Sequence, residues 1–408
     1  MGARRRWILA VCSVLAVSMS GCGAVTDGEV PEPAVDLGLL DVGGYPTRPV
    51  DYGADSAEPM VLHRVREAQR LAEYFPLPTE VDPSLTLLHD RQENVFVGGK
   101  TKSFPTIHRD VSLTPISGEA FTSAGFIAGF NTSGTAAEET AWIGSALSYA
   151  GLVYRDSATA IAGATALADA GFNLDGAEPV QLVQFPAVRS AWLPKEQVQA
   201  AWHVVGSVVV IVVAESPENR KLGIAELAPL TTLVEGALRR LSDRVAAFRP
   251  TPVDQLASLP LDADGLLRLT VPETTGYEYA HKHGTYDARA DLHLRRDPQR
   301  HARLNETHGI DRVAYREAVV ARARDADSAR RYLADIAVGK FLAREDSPGG
   351  LPQARCARNR SVRPGLLRTE KYTCSVAFGR YVATVHSPWL RDAQQRISAQ
   401  FAILVNSR

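Results

Sequence analysis

The sequence has little of the residues that mark specialised classes of protein. Of its 408 residues, four are cysteine, three are methionine and 7% are aromatic, and the formal net charge is only −1. Four cysteines are too few for a disulfide-rich small domain, and a near-neutral chain lacks the basic excess of a nucleic-acid-binding protein. The 45% of hydrophobic and 22% of charged residues are typical of a folded globular protein. At this length we expect two domains.

The sequence also lacks the common catalytic and nucleotide-binding motifs. It contains no Gly-x-Ser-x-Gly, no His-Glu-x-x-His, no Gly-x-Gly-x-x-Gly and no P-loop pattern, so we expect neither a nucleotide ligand nor a hydrolase of a familiar motif class. The apolar runs 7–17 and 208–213 are shorter than the roughly 20 residues of a membrane-spanning helix. The second run is unbroken, which indicates a strand buried on both sides.

The amino terminus has the pattern of an export signal. Three arginines at positions 4–6 precede the apolar run 7–17, and Met19-Ser20-Gly21-Cys22 follows. This last motif resembles the lipobox, in which signal peptidase II cuts before a cysteine that carries a diacylglyceryl group. We predict that residues 1–21 are removed as a signal peptide and that Cys22 anchors the protein to the outer face of the cell membrane. The alternative is an ordinary secretory signal with an incidental cysteine.

The four cysteines can be assigned by their positions. Cys12 lies within the predicted signal peptide, Cys22 takes the lipid, and Cys356 and Cys374 stay in the folded body. Outside the cytoplasm an isolated pair of cysteines is normally a disulfide, and we predict one between these two residues. The alternatives are free thiols or a metal-binding pair, but a metal would need further ligands at close spacing, and none flanks them.

The mature chain is predicted to form two similar modules. The predicted segments are a lipidated amino terminus with an acidic tether (22–57), a first module (58–249), a proline-rich connector (250–265) and a second module with the disulfide (266–408). Each module shows the same order of patterns, namely a strand, a helix, a hairpin and an amphipathic helix. We therefore predict an α+β fold of two tandem modules, each an antiparallel sheet with helices packed on one face.

Repeated hinges support this prediction. Arg155-Asp156 and Arg324-Asp325 each end a strand at the start of a helix, where the aspartate can cap free amides. Gly206-Ser207 and Gly379-Arg380 each separate two apolar strands, as two-residue hairpin turns do. The spacing of apolar residues predicts the first helix over residues 59–74.

Two tryptophans lie next to these hinges. Trp202 begins the first hairpin and Trp389 opens the last helix. We expect both to pack in the core or as a staple at a helix end, because large aromatic side chains anchor small sheets. The functional alternative is that they line a ligand groove between the modules.

Four stretches along the mature chain form a recognisable set: Asp41-Val42-Gly43-Gly44-Tyr45-Pro46-Thr47, Pro250-Thr251-Pro252, Asp262-Ala263-Asp264-Gly265-Leu266-Leu267 and Gly379-Arg380-Tyr381-Val382. Together they resemble a family of actinobacterial two-domain lipoproteins of unassigned function. Each module also resembles, more faintly, the extracellular sensor domain of mycobacterial serine/threonine kinases. The resemblance implies an envelope location and a two-domain structure, and it transfers no catalytic residue.

The densest group of polar residues is a histidine-rich segment, 278–308, with five of the ten histidines. His281 and His283 alternate on one side of an extended strand, so both could bind one metal ion, with Asp287 or His293 as a third ligand. The alternative is a surface strand and loop that is simply rich in histidine, because the spacing matches no compact metal motif. Zinc or a similar metal here is the only cofactor that the sequence suggests.

These observations predict a secreted, membrane-anchored lipoprotein of the cell envelope. Its expected role is non-enzymatic binding or sensing of a cell-wall component, a lipid or another protein, with the membrane as a partner through the lipid on Cys22. The alternative is an extracellular metal-dependent hydrolase that uses residues 278–308. Neither hypothesis involves a nucleic acid or a nucleotide.

Overall fold

The computed structural model describes residues 35–53, 56, 58–88, 94–97, 106–108, 111–113, 125–136, 144–272, 283–360 and 371–407. Within this part of the chain, Val35–Arg408 form one packed unit. None of the helices in the described ranges is both long enough and apolar enough to cross a membrane.

The first module is built on an antiparallel sheet. In chain order its strands are β1 (Leu87–Leu88), β2 (Val95–Val97), β3 (Thr106–His108), β4 (Val111–Ser112), β5 (Phe126–Thr135), β6 (Ala146–Tyr154), β7 (Glu178–Pro179), β8 (Arg189–Leu193), β9 (Val198–Val205) and β10 (Val208–Glu215). Seven of them follow the order β1-β5-β6-β10-β9-β8-β7, β2 also pairs with β5, and β3 and β4 form a separate two-stranded sheet among the described residues. The longest pairings join β5, β6, β10 and β9, so these strands form the centre of the sheet.

The described part of this module contains five α-helices. They are α1 (Pro59–Ala72), α2 (Pro78–Val81), α3 (Ser157–Ala170), α4 (Pro217–Leu222) and α5 (Ala228–Val245). Asp156 caps α3 by accepting a hydrogen bond from the Thr159 amide at 2.8 Å, as predicted. Gly171 ends α3 with a φ of +58°, which favours glycine. Helix α1 ends two residues earlier than predicted, and Tyr74 lies in the turn after it.

Strand β10 shows how the helices cover the sheet. Val208, Val210 and Val212 share a buried cluster with α1 and α5, whereas Val209 and Ile211 share one with α3. Successive side chains of a strand point to opposite faces, so β10 is buried on both sides, as its unbroken apolar run predicts. The same alternation corrects one expectation: helices cover both faces of the sheet rather than one, because α3 and α5 lie on opposite faces.

The second module repeats this design. Its strands are β11 (Gly284–Asp287), β12 (Arg312–Tyr315), β13 (Ala318–Arg322), β14 (Leu342–Glu345), β15 (Arg355–Asn359), β16 (Tyr372–Phe378) and β17 (Tyr381–Ser387). They form one antiparallel sheet in the order β11-β12-β13-β17-β16-β15-β14. Its helices are α6 (Pro298–His308), α7 (Ala326–Ile336) and α8 (Leu390–Val405), and a short 3-10 helix spans Ala290–Leu294.

The two modules match element by element. The order β6, α3, β9, β10, α5 corresponds to β13, α7, β16, β17, α8, and β5-β6-β10-β9-β8-β7 corresponds to β12-β13-β17-β16-β15-β14 across the sheets. Gly206 and Gly379 make the two hairpin turns with φ values of +62° and +53°, and a glycine with positive φ at the first turn position is typical of type II′ turns. The predicted α+β fold of two tandem modules with antiparallel sheets is confirmed.

A disulfide joins Cys356 to Cys374, as predicted. The two cysteines lie directly opposite each other on β15 and β16, and both are buried. Cys356 therefore belongs to a strand of the sheet rather than to a loop. With a sequence separation of 18 residues, this cross-link contributes about 3 kcal/mol to stability.

One hydrophobic core extends through both modules. It joins residues of α1, α5 and β10 to residues of the second module, among them Tyr286, Val313 and Leu333. Helix α1 packs against β2 and β5 of the first sheet and also against β11 of the second. Each fully buried side chain of this size contributes about 1.5–3 kcal/mol, so the shared core holds the two modules together as one body.

The described part of the predicted tether packs against the second module, and this corrects the expectation for residues 22–57. We call residues 35–53 the N-terminal strap. Leu40 is buried in the core beneath α8, and the Tyr45 hydroxyl donates to Asp392 Oδ1 at 2.6 Å. Arg396 Nε donates in turn to the Tyr45 hydroxyl at 2.9 Å. Residues 22–34, including Cys22, lie outside the described residues.

Candidate functional site

Both modules contribute charged side chains to a region between α1 and β11. We call this region, formed by Arg66, Glu73, Asp264, Asp287 and Arg312, the seam. Strand β11 is an edge strand, and such strands expose unpaired backbone groups. Two α1 side chains satisfy carbonyls there, and the contacts are Arg66 Nη1 to the Thr285 carbonyl at 2.7 Å and Gln69 Nε2 to the His283 carbonyl at 2.5 Å.

Glycine is required at the start of this strand. Gly284 has a φ of +152°, and a Cβ there would collide with the side-chain amide of Gln69. The close approach of α1 to β11 therefore depends on a residue without a side chain.

Two partly buried carboxyl groups, from Glu73 immediately after α1 and Asp287 at the end of β11, belong to the seam. Burial raises the pKa of both groups, and the negative charge of Asp287 raises the pKa of Glu73 further. The guanidinium groups of Arg66 and Arg312 oppose these shifts. Carboxyl groups perturbed in this way occur at functional sites and also in structural ion-pair networks.

Residues of the connector form ion pairs and hydrogen bonds with the second module and with α1. Arg312 Nε lies 3.0 Å from Asp264 Oδ2 in the turn that ends the connector. Near the connector's start, the Thr251 amide donates to Glu67 Oε1 on α1 at 2.7 Å. Glu67 is fully buried, and Arg70 Nη1 also donates to it, at 2.6 Å. The connector is therefore fixed to α1 by charged hydrogen bonds, which are stronger than neutral ones.

Glu80 joins three parts of the molecule beside the seam. Its Oε1 accepts from Arg244 Nη2 of α5 at 2.8 Å, and its Oε2 accepts from Arg289 Nη2 of the second module at 2.6 Å. Arg289 Nη2 also donates to the Phe75 carbonyl at 3.0 Å. One carboxylate thus ties the last helix of the first module to the start of the second.

His293 of the second module is buried against the first. Its ring lies between Phe75 and Phe130, with centroids at 6.5 and 5.5 Å. Nε2 lies 3.4 Å from the Phe75 carbonyl and Nδ1 lies 3.1 Å from Thr132 Oγ1. Because a carbonyl only accepts, Nε2 must carry the proton and Nδ1 must accept from the threonine. Burial lowers the pKa of His293 to about 4, so this imidazole is neutral at physiological pH.

The structure places the candidate metal ligands as follows. His281 lies outside the described residues. His283 is buried beside Gln69, and Asp287 Oδ1 accepts from the Arg289 and Ala290 amides at 3.0 and 2.6 Å. Within the described ranges, no group of three His, Cys, Asp or Glu side chains is arranged to hold a metal ion. A zinc site that includes His281 stays a prediction.

A buried charged group in the second module was not anticipated from the sequence. Arg295 Nε donates to both carboxylate oxygens of Asp291 at 3.1 and 3.0 Å, and the Tyr315 hydroxyl donates to the same carboxylate. Asp291 is fully buried. A spacing of four residues between acid and base is usual on exposed helix faces, so the sequence contains no signal that this pair is buried.

The seam can bind through charge and hydrogen bonds. Its two guanidinium groups and its carboxyl groups are partly exposed, which suits a polar ligand or a polar patch of another protein. The side chains of Arg66, Glu73, Asp264, Asp287 and Arg312 include no hydroxyl or thiol nucleophile. These groups can form ion pairs and hydrogen bonds with such a partner.

Comparisons with known proteins place the chain in a family. No curated protein sequence matches it significantly. Among solved structures it is similar to the extracellular domain of PknH from Mycobacterium tuberculosis, with 13% identity, coverage of 44% of this chain and 95% of that chain, and a TM-score of 0.28. Residues 54–261 match the family model described as "Domain of unknown function (DUF7373) N-terminal", and residues 266–407 match its C-terminal counterpart. The chain therefore belongs to the DUF7373 family and contains both of its domains.

Proposed function

We propose that this chain is an exported lipoprotein of the cell envelope, anchored to the outer face of the membrane by lipid on Cys22, and that its paired modules bind a ligand without catalysing a reaction. The anchoring part is supported by the basic, apolar and Ser20-Gly21-Cys22 segments in sequence. They occur in the order that an exported lipoprotein requires. The expected ligands are a cell-wall component, a lipid or another protein.

The observation that carries the binding role is the seam. Arg66, Glu73, Asp287 and Arg312 are held partly exposed between two modules that the bonds of Glu80 and a shared core fix together. A site built on a rigid frame loses little conformational freedom when a ligand binds. Such a frame suits recognition of one charged or hydrogen-bonding partner.

The anchoring can be tested by the mass of the amino-terminal peptide. In a bacterial host with signal peptidase II, we expect a peptide that begins at Cys22 and carries acyl chains. The Cys22→Ser variant should leave the membrane fraction and appear in the medium. A membrane-associated variant, or a wild-type chain that still begins at Met1, would contradict the proposal.

The binding role can be tested with purified peptidoglycan, with phospholipid vesicles and with chemical cross-linking in intact cells. We expect one of these probes to capture the wild-type chain and the Glu73→Gln, Asp287→Asn double variant to be captured at least about tenfold less, because two charges of the seam are removed. The control is Glu218→Gln with Asp254→Asn, which neutralises two exposed acids of the first module and the connector. Equal capture of both variants by every probe would reject the seam as the binding site.

A further inference from the structure

The second module is strongly basic although the whole chain is nearly neutral. Residues 266–407 contain 24 Lys and Arg against 15 Asp and Glu, a formal charge of +9. Residues 58–261 contain 16 Lys and Arg against 22 Asp and Glu, a formal charge of −6. A negatively charged lipid surface attracts the first kind of charge and repels the second.

Three of these cations lie at one end of the second sheet, together with two exposed aromatic side chains. Lys340, Arg360 and Lys371 are exposed, Phe341 is 54% exposed and Trp389 is 68% exposed. We call these five residues the basic end. Exposed aromatic residues beside Lys and Arg are typical of proteins that touch a membrane interface.

The backbone places these residues side by side. Strands β14 and β16 begin at this end of the sheet, and β15 and β17 finish there. The Arg360 amide donates to the Phe341 carbonyl at 2.8 Å, and the Lys371 carbonyl accepts from the Asn359 amide at 2.8 Å. Trp389 lies two residues beyond the end of β17. The five side chains therefore share one edge of the module.

The cations of the basic end are available to an outside partner. The ion pairs found among the described residues of this module use other cations, such as Arg358 with Glu345. Lys340 Nζ instead lies 5.4 Å from the centre of the Phe341 ring, and Lys371 Nζ lies 5.2 Å from that of Tyr372. A cation over an aromatic ring keeps its full charge, and this contact is weak at an exposed site.

The N-terminal strap contacts the helix that begins at the basic end. Asp41 of the N-terminal strap accepts from Gln395 Nε2 at 3.0 Å and lies 3.6 Å from Arg391 Nη2. Both partners belong to the first two turns of α8, which begins immediately after Trp389. Val35 follows Cys22 by 13 positions, a length of chain that reaches at most about 45 Å. The N-terminal strap and the basic end thus lie on the same module, within that length of chain from Cys22.

We propose that the basic end of the second module rests on the anionic phospholipid surface that holds the Cys22 lipid. Lys340, Arg360 and Lys371 contact lipid phosphates, and Phe341 and Trp389 enter the headgroup layer. A lipid anchor and a basic patch together bind a membrane far more firmly than either does alone. The acidic first module is then directed away from the membrane. This inference rests on the proposed lipidation of Cys22.

The test uses the chain from residue 22 onward with Cys22→Ser, so that no lipid contributes. Vesicles of phosphatidylglycerol mixed with phosphatidylcholine are compared with vesicles of phosphatidylcholine alone, by cosedimentation at low and high salt. We expect binding only to the anionic vesicles, and weaker binding at high salt. Reversing three charges, in Lys340→Glu, Arg360→Glu and Lys371→Glu, should lower the partition coefficient at least about 100-fold, since each cation near the surface contributes roughly fivefold.

The matched control reverses three exposed cations of the first module. Lys195→Glu, Lys221→Glu and Arg240→Glu change the net charge by the same amount and should leave vesicle binding within about twofold. Trp389→Ser should weaken binding several-fold, whereas Ile161→Ser, at an exposed position of the first module, should not.

Several outcomes would overturn the proposal. These are equal binding to neutral and anionic vesicles, an equal loss in both triple variants, and capture by a soluble polyanion without any capture by vesicles. The lipid on Cys22 is measured separately by mass spectrometry of the wild-type chain. Cys22 could be found unmodified while the Cys22→Ser chain still binds anionic vesicles. That result would reject the lipid anchor but support membrane binding by the basic end.

Discussion

Ser190 lies directly opposite Ala201 across β8 and β9, at the place in the first module that the disulfide occupies in the second. Ala201 precedes the turn residue Gly206 by five positions, as Cys374 precedes Gly379. Both pairs bridge the hairpin and the next strand of the sheet. The two modules therefore have the same strand register at this position. The first module has Ser190 and Ala201 where the second has its two disulfide-bonded cysteines.

We predict that Ser190→Cys with Ala201→Cys forms a second disulfide under oxidising conditions. It should raise the free energy of unfolding by about 2 kcal/mol, because the gain from closing the loop is reduced by losing the bond from Ser190 Oγ to the Ala200 carbonyl at 2.8 Å. Mass spectrometry without reductant and urea unfolding with and without reductant measure both effects. The single variant Ser190→Cys is the control. Two free thiols in the folded double variant would show that the two registers differ.

Glu80→Gln should loosen the joint between the modules. The variant keeps the shape of the side chain but removes the charge that Arg244 and Arg289 share. Both arginines are about one third exposed, so we expect a loss of about 1–2 kcal/mol in urea unfolding and not more. Asp169→Asn, which breaks the exposed pair with Arg189, should cost less than about 0.5 kcal/mol. An equal effect of the two variants would contradict a coupling role for Glu80.

Glu215 should make the protein less stable as the pH rises. Burial raises the pKa of this carboxyl from 4.5 to about 8, against the opposing charge of Arg220. The folded chain therefore keeps a proton that the unfolded chain releases, and stability that is present below pH 4.5 is lost as the pH rises to about 8. Glu215→Gln should be more stable than wild type at pH 8 by at least about 1 kcal/mol and similar at pH 4.5. Thermal unfolding across this range measures it, with the exposed Glu218→Gln as the control.

His293 should have the opposite effect at acidic pH. Its pKa is lowered by burial from 6.5 to about 4, so the unfolded chain binds a proton that the folded chain does not. Stability is complete above pH 6.5 and should fall by roughly 3 kcal/mol as the pH drops toward 4. His293→Gln should remove this part of the pH dependence. An imidazole signal of His293 that titrates near 6.5 in nuclear magnetic resonance would rule out its neutral, buried state.

A zinc site would need His281 beside His283, because Asp287 and His293 already form hydrogen bonds elsewhere. If such a site exists, added zinc should raise the melting temperature of the wild-type chain, since a metal that binds only the folded state stabilises it. The double variant His281→Ala, His283→Ala should not respond, and the double variant His301→Ala, His386→Ala serves as the control. A wild-type melting temperature that zinc leaves unchanged would exclude the site and, with it, the hydrolase hypothesis.

Local patterns in the sequence predicted the repeated elements correctly. The caps Asp156 and Asp325 and the turn residues Gly206 and Gly379 act on backbone within a few residues of themselves, so their effect does not depend on distant parts of the chain. Of the two tryptophans, Trp202 packs in the core and is 4% exposed, whereas Trp389 lies at the start of α8 and is 68% exposed. Trp202 lies within β9 and Trp389 lies between the end of β17 and the start of α8, and the packing of the neighbouring elements determines which of them is buried.

The sequence by itself determined the repeated order of strand, helix, hairpin and helix and the pairing of the two buried cysteines, because each depends on short-range spacing or on a choice among very few residues. The tertiary structure alone decided that helices cover both faces, that residues 35–53 bind α8 and that Glu80 meets Arg289 across 209 positions. Such contacts join residues far apart in the chain, and their geometry follows from how the two sheets pack around α1. For the same reason the basic end became visible only when four strand ends and the start of α8 were brought together.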